Sequence, residues 1–355
     1  MGVPRDRVLV AMSGGVDSSV AAALLHEQGH SCVGVTLHLW DAAGEQKVGR
    51  CCAPEDREDA RRTCDALGIP HYVIDERDAF RATVVDPFVR AYAAGATPSP
   101  CVACNQHVKL GRLAQLADAM GCSKIATGHY ARMEGGALRR GADARKDQSY
   151  FLFGVPGVIL ERLVFPLGAM DKPHVREEGK RLGVPNWDKK DSQELCFVPD
   201  GNVAGFIERE GQRGTRGEIV DESGQALAAH EGVHHFTVGQ RRGLGLGGGP
   251  PRYVLKVLPE SGEVVVGGAA SLYASGLVAE GARWIGASRP TAPFDAELQI
   301  RHHHAPAKAR IELDTEGGFI ARFAEPQRAI ARGQAAVVYD GDTVMGGGFI
   351  RGVVE

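Results

Sequence analysis

Two thiols and a glycine-rich turn carry most of the chemistry legible in this chain. Cys104 sits in Cys101-Val102-Ala103-Cys104-Asn105, and Cys196 ends Ser192-Gln193-Glu194-Leu195-Cys196. Upstream of both lies Ser13-Gly14-Gly15-Val16-Asp17-Ser18-Ser19, between an apolar run at Val8 to Met12 and a helical stretch at Val20 to Gln28. Glycines let a backbone turn tightly and approach a ligand. The freed N–H groups form an anion nest, and the helix start adds positive dipole. Ser13, Ser18 and Ser19 offer hydroxyls, and Asp17 is a candidate Mg²⁺ ligand beside phosphates. The loop therefore reads as a pyrophosphate cradle. It is neither a Walker A loop, lacking Gly-Lys-Ser/Thr, nor the Gly-x-Gly-x-x-Gly turn of dinucleotide folds. A capped strand-to-helix turn is the bland alternative, but it explains neither the glycine pair nor the three serines. ATP chemistry with two separate thiols implies an enzyme that activates an acceptor and delivers sulfur to it.

The thiol segments fit that chemistry. Thr97 to Asn105 starts as a proline-stiffened loop and runs into a helix, and a thiol near a helix start has its pKa lowered. His107 and Lys109 lie near in sequence, and Cys196 follows a partly basic approach, Lys189-Lys190-Asp191-Ser192-Gln193. For sulfur delivery one cysteine carries a persulfide, and the other releases the sulfur by forming a disulfide with the carrier. Half of a zinc site is one competing reading of Cys101-x-x-Cys104, but no second Cys-x-x-Cys exists. An iron–sulfur cluster on Cys101, Cys104 and Cys196 with one open iron is a stronger competitor. Cys32, Cys64 and Cys122 fall in core-like patterns and read as packing residues, and the adjacent Cys51-Cys52 pair as local.

The elements that must position these groups alternate. Strand patterns at Ser31 to Leu39, Ile69 to Asp75 and Lys124 to Thr127 interleave with helical ones at Pro54 to Leu67 and Leu110 to Met120. Gly29, Gly68 and Gly121 stand where helices should stop. Such alternation over residues 1–200 predicts an α/β fold, a doubly wound parallel sheet. Beyond it, glycine becomes dense and short β runs appear: Tyr253 to Leu258, Glu263 to Val266, Ala296 to Ile300, Arg310 to Leu313 and Ala335 to Tyr339. These predict a small linking domain at 201–275 and a β-barrel-like domain at 276–355.

The 355 residues exceed what one core usually serves. A net charge of −3 leaves nucleic-acid binding to a local basic groove rather than a global field. No leader-like run precedes the first strand, and no apolar run approaches the roughly 18 residues of a membrane span. The expectation is a cytoplasmic protein, in which eight cysteines are thiols rather than a disulfide scaffold.

The motifs converge. The loop alone resembles the PP-loop of ATP pyrophosphatases. With Leu67 to Tyr72, Thr97 to Lys109, Ala126 to Arg132, Lys146 to Leu152 and Asp191 to Phe197, the chain closely resembles the tRNA-specific 2-thiouridylases. His230-Glu231-Gly232, Thr237 to Gly245 and Gly346-Gly347-Gly348 extend the resemblance almost end to end.

That resemblance implies a PP-loop domain that thiolates the wobble uridine of tRNA at C2, using ATP. It assigns ATP to Ala11, Met12, Ser13, Gly14, Gly15, Val16, Asp17 and Ser18, with Leu37 and Gly128. It makes Cys104 the nucleophile and Cys196 the persulfide carrier. Ser99, Pro100 and Cys101 would lie against the target base. His129, Lys146, Asp147 and Gln148 would touch tRNA, as would Arg301, His302 and Gln334. A cysteine desulfurase or sulfur-relay protein is the implied donor, and a monomer the simplest assembly. The chain departs from the commonest pattern at three points. Cys101 stands where many members have an acid, which raises the cluster reading; Leu37 replaces a methionine and His302 an aromatic residue.

Read from the residues alone, Lys146 and Arg301 suit phosphate contacts, or else are solvated charges. Tyr150-Phe151-Leu152 reads as core. His302-His303-His304 would point to alternate faces of a strand and so cannot easily meet one ion. Gly239 to Gly249 reads as a mobile basic loop or a plain linker. A small-molecule PP-loop ligase is the competing enzyme class, and an adenylate-binding or sulfur-carrier module the nonenzymatic one.

Overall fold

The computed structural model describes residues 6–41, 54–190, 195–286 and 290–354. Cys51 and Cys52, and the approach to Cys196 at residues 191–194, lie outside the described residues. The chain forms two compact units: residues 1–84, 101–201 and 342–344, and residues 85–100, 202–341 and 345–355.

The first unit is built on a five-stranded parallel sheet of order β3-β2-β1-β4-β7. Its strands are β1 (Arg7–Ala11), β2 (Ser31–His38), β3 (His71–Asp75), β4 (Lys124–Ala126) and β7 (Leu163–Val164); β5 (Ala131–Glu134) and β6 (Ala137–Arg140) form a hairpin. The central strand β1 is a continuous apolar run, as burial on both faces demands. Helix α1 (Val16–Glu27) starts four residues earlier than the sequence pattern suggested, directly at the glycine loop. It buries Val16 and residues 18–25, so it reads apolar around its circumference. Helix α2 (Pro54–Leu67) is charged outside and buries Asp56, Ala60, Thr63 and Cys64, one helical stripe. The predicted stops hold. Gly29 and Gly68 both take positive φ, and the Gly68 and Ile69 amides close α2 onto Asp65 and Cys64 carbonyls.

Cys32 and Cys64 are 4% and 0% exposed, and Cys122 is buried as well. Burial pushes the Cys32 and Cys64 thiols up to about 11 and about 12. All three are packing residues, as their patterns indicated.

The second unit holds two β assemblies. One is a four-stranded sheet of order β10-β11-β8-β9, from β8 (Gly217–Asp221), β9 (Ala226–His230), β10 (Tyr253–Leu258) and β11 (Glu263–Gly267). The other runs β12-β15-β14-β13-β16-β17 and closes through β12–β17 pairing into a six-stranded barrel. Its strands are β12 (Tyr273–Trp284), β13 (Phe294–Gln299), β14 (Ala307–Leu313), β15 (Phe319–Arg328), β16 (Ala335–Asp340) and β17 (Thr343–Val354). Closure leaves no free edge, and Leu277, Leu298, Ile311, Phe319, Val338 and Ile350 fill the interior. The loop at 239–249 is anchored rather than free. Leu244 is buried among Phe236, Val254 and Val264, and Gln240 accepts from the Thr237 amide while donating to the Arg242 carbonyl.

Candidate active site

The glycine loop opens into a cavity of about 330 Å³ in the first unit. Of the residues assigned to ATP, Ala11, Met12, Ser13, Gly15, Val16, Asp17, Ser18, Leu37 and Gly128 line it, and Gly14 does not. Among the described residues the α1 start has no side-chain cap, so its first amides are the kind of donors that bind anions at helix starts. Two serines also hold the loop and its helix in place. Ser18 Oγ donates to the Gly15 carbonyl at 3.1 Å and accepts from Ser13 N at 3.1 Å, bracing the loop from within. Ser19 is fully buried and accepts from Thr63 of α2.

Gly14 adopts φ +75°, and a Cβ there would strike the Asp56 backbone. Gly128 has no such dihedral constraint, but its Cβ would sit 2.8 Å from Asp17 C and Ser18 N. Both glycines are thus imposed by close approach around the loop. The cavity wall is basic: Arg57, Lys109, Lys146, Lys189 and Lys190 line it against two acids, Asp17 and Asp56. Its chemistry suits a polyanion with a flat apolar end, since Val35, Leu37, Leu39, Leu110 and Leu113 complete the wall.

Asp17 is already ion-paired. Its Oδ1 accepts from Tyr130 Oη at 2.8 Å and from Lys172 Nζ at 2.7 Å. On the protein side a Mg²⁺ ion would therefore meet one carboxylate whose charge Lys172 balances, so Asp17 does not make a metal site by itself.

Among the residues assigned to tRNA, His129, Lys146 and Gln148 line this same cavity. Burial, and next the nearby Lys109 charge, push the His129 pKa down to about 3, so its ring is neutral at physiological pH. Its Nδ1 pairs with the Thr127 hydroxyl at 2.8 Å. Asp147 turns inward. It is 7% exposed and takes hydrogen bonds from Arg140 Nη1, the Gly141 and Ser149 amides and Ser149 Oγ, at 2.9–3.0 Å. It shapes the turn that carries Lys146 and Gln148. Tyr150 and Leu152 are core, as the sequence indicated.

In the second unit, Gln334 Nε2 donates to the Thr97 carbonyl at 2.9 Å. It fixes the loop leading to Ser99, which is 8% exposed, and Pro100. Arg301 Nη1 donates to the Arg328 carbonyl at 3.1 Å, and the His302 ring lies against His303, 3.8 Å between centroids.

Cys104 begins a π-helical turn, Cys104–Lys109, that follows the short helix Pro100–Ala103. Cys104 is buried, Cys101 exposed and Cys196 half-buried. The turn packs against the helix Arg77–Phe80. The Phe80 ring in turn meets Phe197 at 5.8 Å, and Trp40 meets Phe197 at 6.4 Å. Phe80 thus links the segments bearing the two thiols. Cys101, Cys104 and Cys196 do not hold their sulfurs within the 4.8 Å spread of a single-ion site. Among the described residues one group does, Glu208, His234 and His235. There, His234 Nδ1 accepts from the Gly214 amide at 3.0 Å. The ring proton therefore sits on Nε2, facing Glu208 at 3.4 Å, and the group is a hydrogen-bonded clasp rather than a set of lone pairs for a metal.

Sequence reasoning missed Asn186, Lys172 and the buried role of Lys189. Lys189 Nζ lies 2.5 Å from Asp56, 2.6 Å from Asp59 and 3.1 Å from the Gly14 carbonyl. Burial opposes its charge, but the two carboxylates more than restore it and hold its pKa above the ordinary lysine value. A lysine next to another lysine on a polar approach gives no local signal of this.

A parallel sheet with an uncapped, glycine-led helix opening on a basic cavity defines a nucleotide-binding α/β domain of the PP-loop kind. Comparison with known proteins agrees. The model described as the tRNA methyl transferase HUP domain matches residues 6–200. The tRNA methyl transferase PRC-barrel domain matches 204–268, and the aminomethyltransferase beta-barrel domain 274–350. The tRNA-specific 2-thiouridylase MnmA of Sorangium cellulosum is 51% identical over 360 residues, covering 98% of this chain and 93% of the relative. That of Koribacter versatilis is 45% identical over 365 residues, covering 97% and 99%. The chain belongs to the tRNA-specific 2-thiouridylase family. Among the described residues, no helix is long and apolar enough to cross a membrane.

Proposed function

We propose that this chain is an ATP-dependent tRNA sulfurtransferase that replaces O2 of the wobble uridine with sulfur. The observation that carries the reading is the basic cavity, which unites the glycine loop, Gly128 and the Lys146–Gln148 turn in the unit that also bears both thiols. Family membership supports the substrate.

ATP binds with its phosphates on the loop and the α1 start. Uridine O2 attacks the α phosphorus, the bond to the β-phosphate bridging oxygen breaks, and pyrophosphate leaves. The base now carries AMP on a former carbonyl oxygen, a far better leaving group. Backbone donors with Lys109, Lys146 and Lys190 stabilise the charge on the phosphorus. The terminal sulfur of a Cys196 persulfide attacks C2, and the Cys104 thiolate attacks Cys196 Sγ. The S–S bond breaks, AMP departs with the original oxygen, and the base becomes 2-thiouridine. The cysteines end as a disulfide, which a two-electron thiol reductant resets. A cysteine desulfurase or a relay protein reloads Cys196. Mg²⁺, held mainly by the phosphates, would neutralise charge. The target base leaves its loop stack to reach the site, and Ser99, Pro100 and Cys101 are its proposed contacts.

Cys104→Ser and Cys196→Ser should each abolish thiolation in the full chain with tRNA, ATP and a persulfide donor. Both should still release pyrophosphate when tRNA is present. Full thiolation by either variant contradicts the scheme.

A further inference from the structure

The Gly14–Gly15 peptide is held from behind. Its carbonyl accepts from Asn186 Nδ2 at 2.9 Å and from Lys189 Nζ at 3.1 Å. A trans peptide directs its C=O and N–H to opposite sides. Fixing the Gly14 carbonyl toward residues 186–189 therefore fixes the Gly15 N–H on the other side. Gly15 lines the cavity and Gly14 does not. Among the described residues that N–H makes only a long contact, 3.4 Å, to Ser13 Oγ, so little competes for it.

The two holding groups are built for position. Lys189 is neutralised by Asp56 and Asp59 at 2.5 and 2.6 Å, so its charge is committed within the protein. Asn186 is 7% exposed, and its Oδ1 has no hydrogen-bond partner among the described residues. A buried amide satisfied at one end costs stability. The satisfied end is the one on the Gly14 carbonyl.

We infer that Asn186 and Lys189 are positioning residues for the pyrophosphate moiety of ATP, locking the Gly14–Gly15 peptide so that the Gly15 N–H faces the phosphates. This rests on the nucleotide reading of the cavity given above. Lys189 also lines the cavity, with its charge held by Asp56 and Asp59, and Asn186 does not line it; the inferred role runs through the Gly14 carbonyl that both hold. Released, the peptide can rotate and turn an acceptor carbonyl toward the anion in place of a donor.

The test is calorimetric titration of the full chain with ATP, inorganic pyrophosphate and AMP. Asn186→Leu keeps the charge and removes one hydrogen bond; Lys189→Met removes the other. Both should bind ATP and pyrophosphate about tenfold more weakly, a loss of the order of one hydrogen bond to a charged group. Both should keep AMP affinity, and Lys189→Arg should restore ATP binding in part. A general loss of structure would weaken AMP equally and would overturn the inference. So would unchanged ATP affinity in both variants. ATP binding weakened in Lys189→Met alone would make the effect one of charge, and also overturns it. If Asn186→Leu does not fold, as read by its melting curve, Asn186→Ala takes its place. A wild-type chain that binds no ATP sinks the nucleotide reading itself, and this inference with it.

Discussion

Gly128→Ala separates two effects of opposite sign. Replacing glycine by alanine removes freedom from the unfolded chain and stabilises by about 0.4–1 kcal/mol where the backbone tolerates it. At Gly128 the added Cβ would lie 2.8 Å from Asp17 C and Ser18 N and 3.0 Å from Asp17 Cβ. Ordinary contact begins at about 3.4 Å, so the segment after β4 must retreat from the first turn of α1 by roughly half an ångström. The atoms in the way are backbone, anchored by Ser18 and Ser19, which are 3% and 0% exposed. Overpacking of this kind costs about 1–3 kcal/mol. The clash wins, and the net loss is about 1–2 kcal/mol, a fall in Tm of roughly 3–6 °C for a unit of this size. The retreat also widens the gap between two walls of the cavity, so ATP affinity and thiolation should fall well beyond what stability alone implies. Thermal melting and nucleotide titration check this. A variant as stable as the wild type with unchanged ATP affinity would refute the close approach on which the reasoning depends.

Other expectations follow from the same geometry. Asp147→Asn replaces an acceptor that meets four donors with a half-donor and removes the charge from its ion pair with Arg140; the cost should be about 3 kcal/mol, read by chemical denaturation. Iodoacetamide at neutral pH should label exposed Cys101 before Cys32 and Cys64, whose thiols lie well above the ordinary 9.0; mass mapping of a short pulse decides. Because those two folded pKa values are raised, their contribution is intact below pH 9 and is lost as pH climbs toward 11–12, so stability should decline across that window. A melting temperature flat from pH 9 to pH 11 would contradict it. Asp17→Asn should weaken ATP-dependent activity and also loosen the Lys172 tie, lowering Tm.

Much of the first unit was legible because its signals are local. The β1 run, the glycine loop and the stops at Gly29, Gly68 and Gly121 each depend on a few neighbouring residues. The Cys32, Cys64 and Cys122 patterns likewise predicted burial. What escaped was long-range. The Gly14 carbonyl meets groups 172 and 175 positions away, and no periodicity announces that. Ser18 and Ser19 offered hydroxyls beside the glycine loop; that Ser18 also braces Gly15 and that Ser19 packs against α2 are tertiary contacts that no local pattern announces. Asp147 and Gln334, assigned to tRNA by the resemblance, also hold the protein's own loops through contacts no local pattern announces.

The central claim is that the base oxygen is adenylated before sulfur arrives, and its fate tests this directly. The measurement is a single turnover on tRNA carrying oxygen-18 at O2 of the wobble uridine, with ATP and persulfide-loaded protein. The account predicts the heavy oxygen in AMP, with one AMP formed per 2-thiouridine. Thiolated tRNA with unlabelled AMP and the heavy oxygen in water would contradict it.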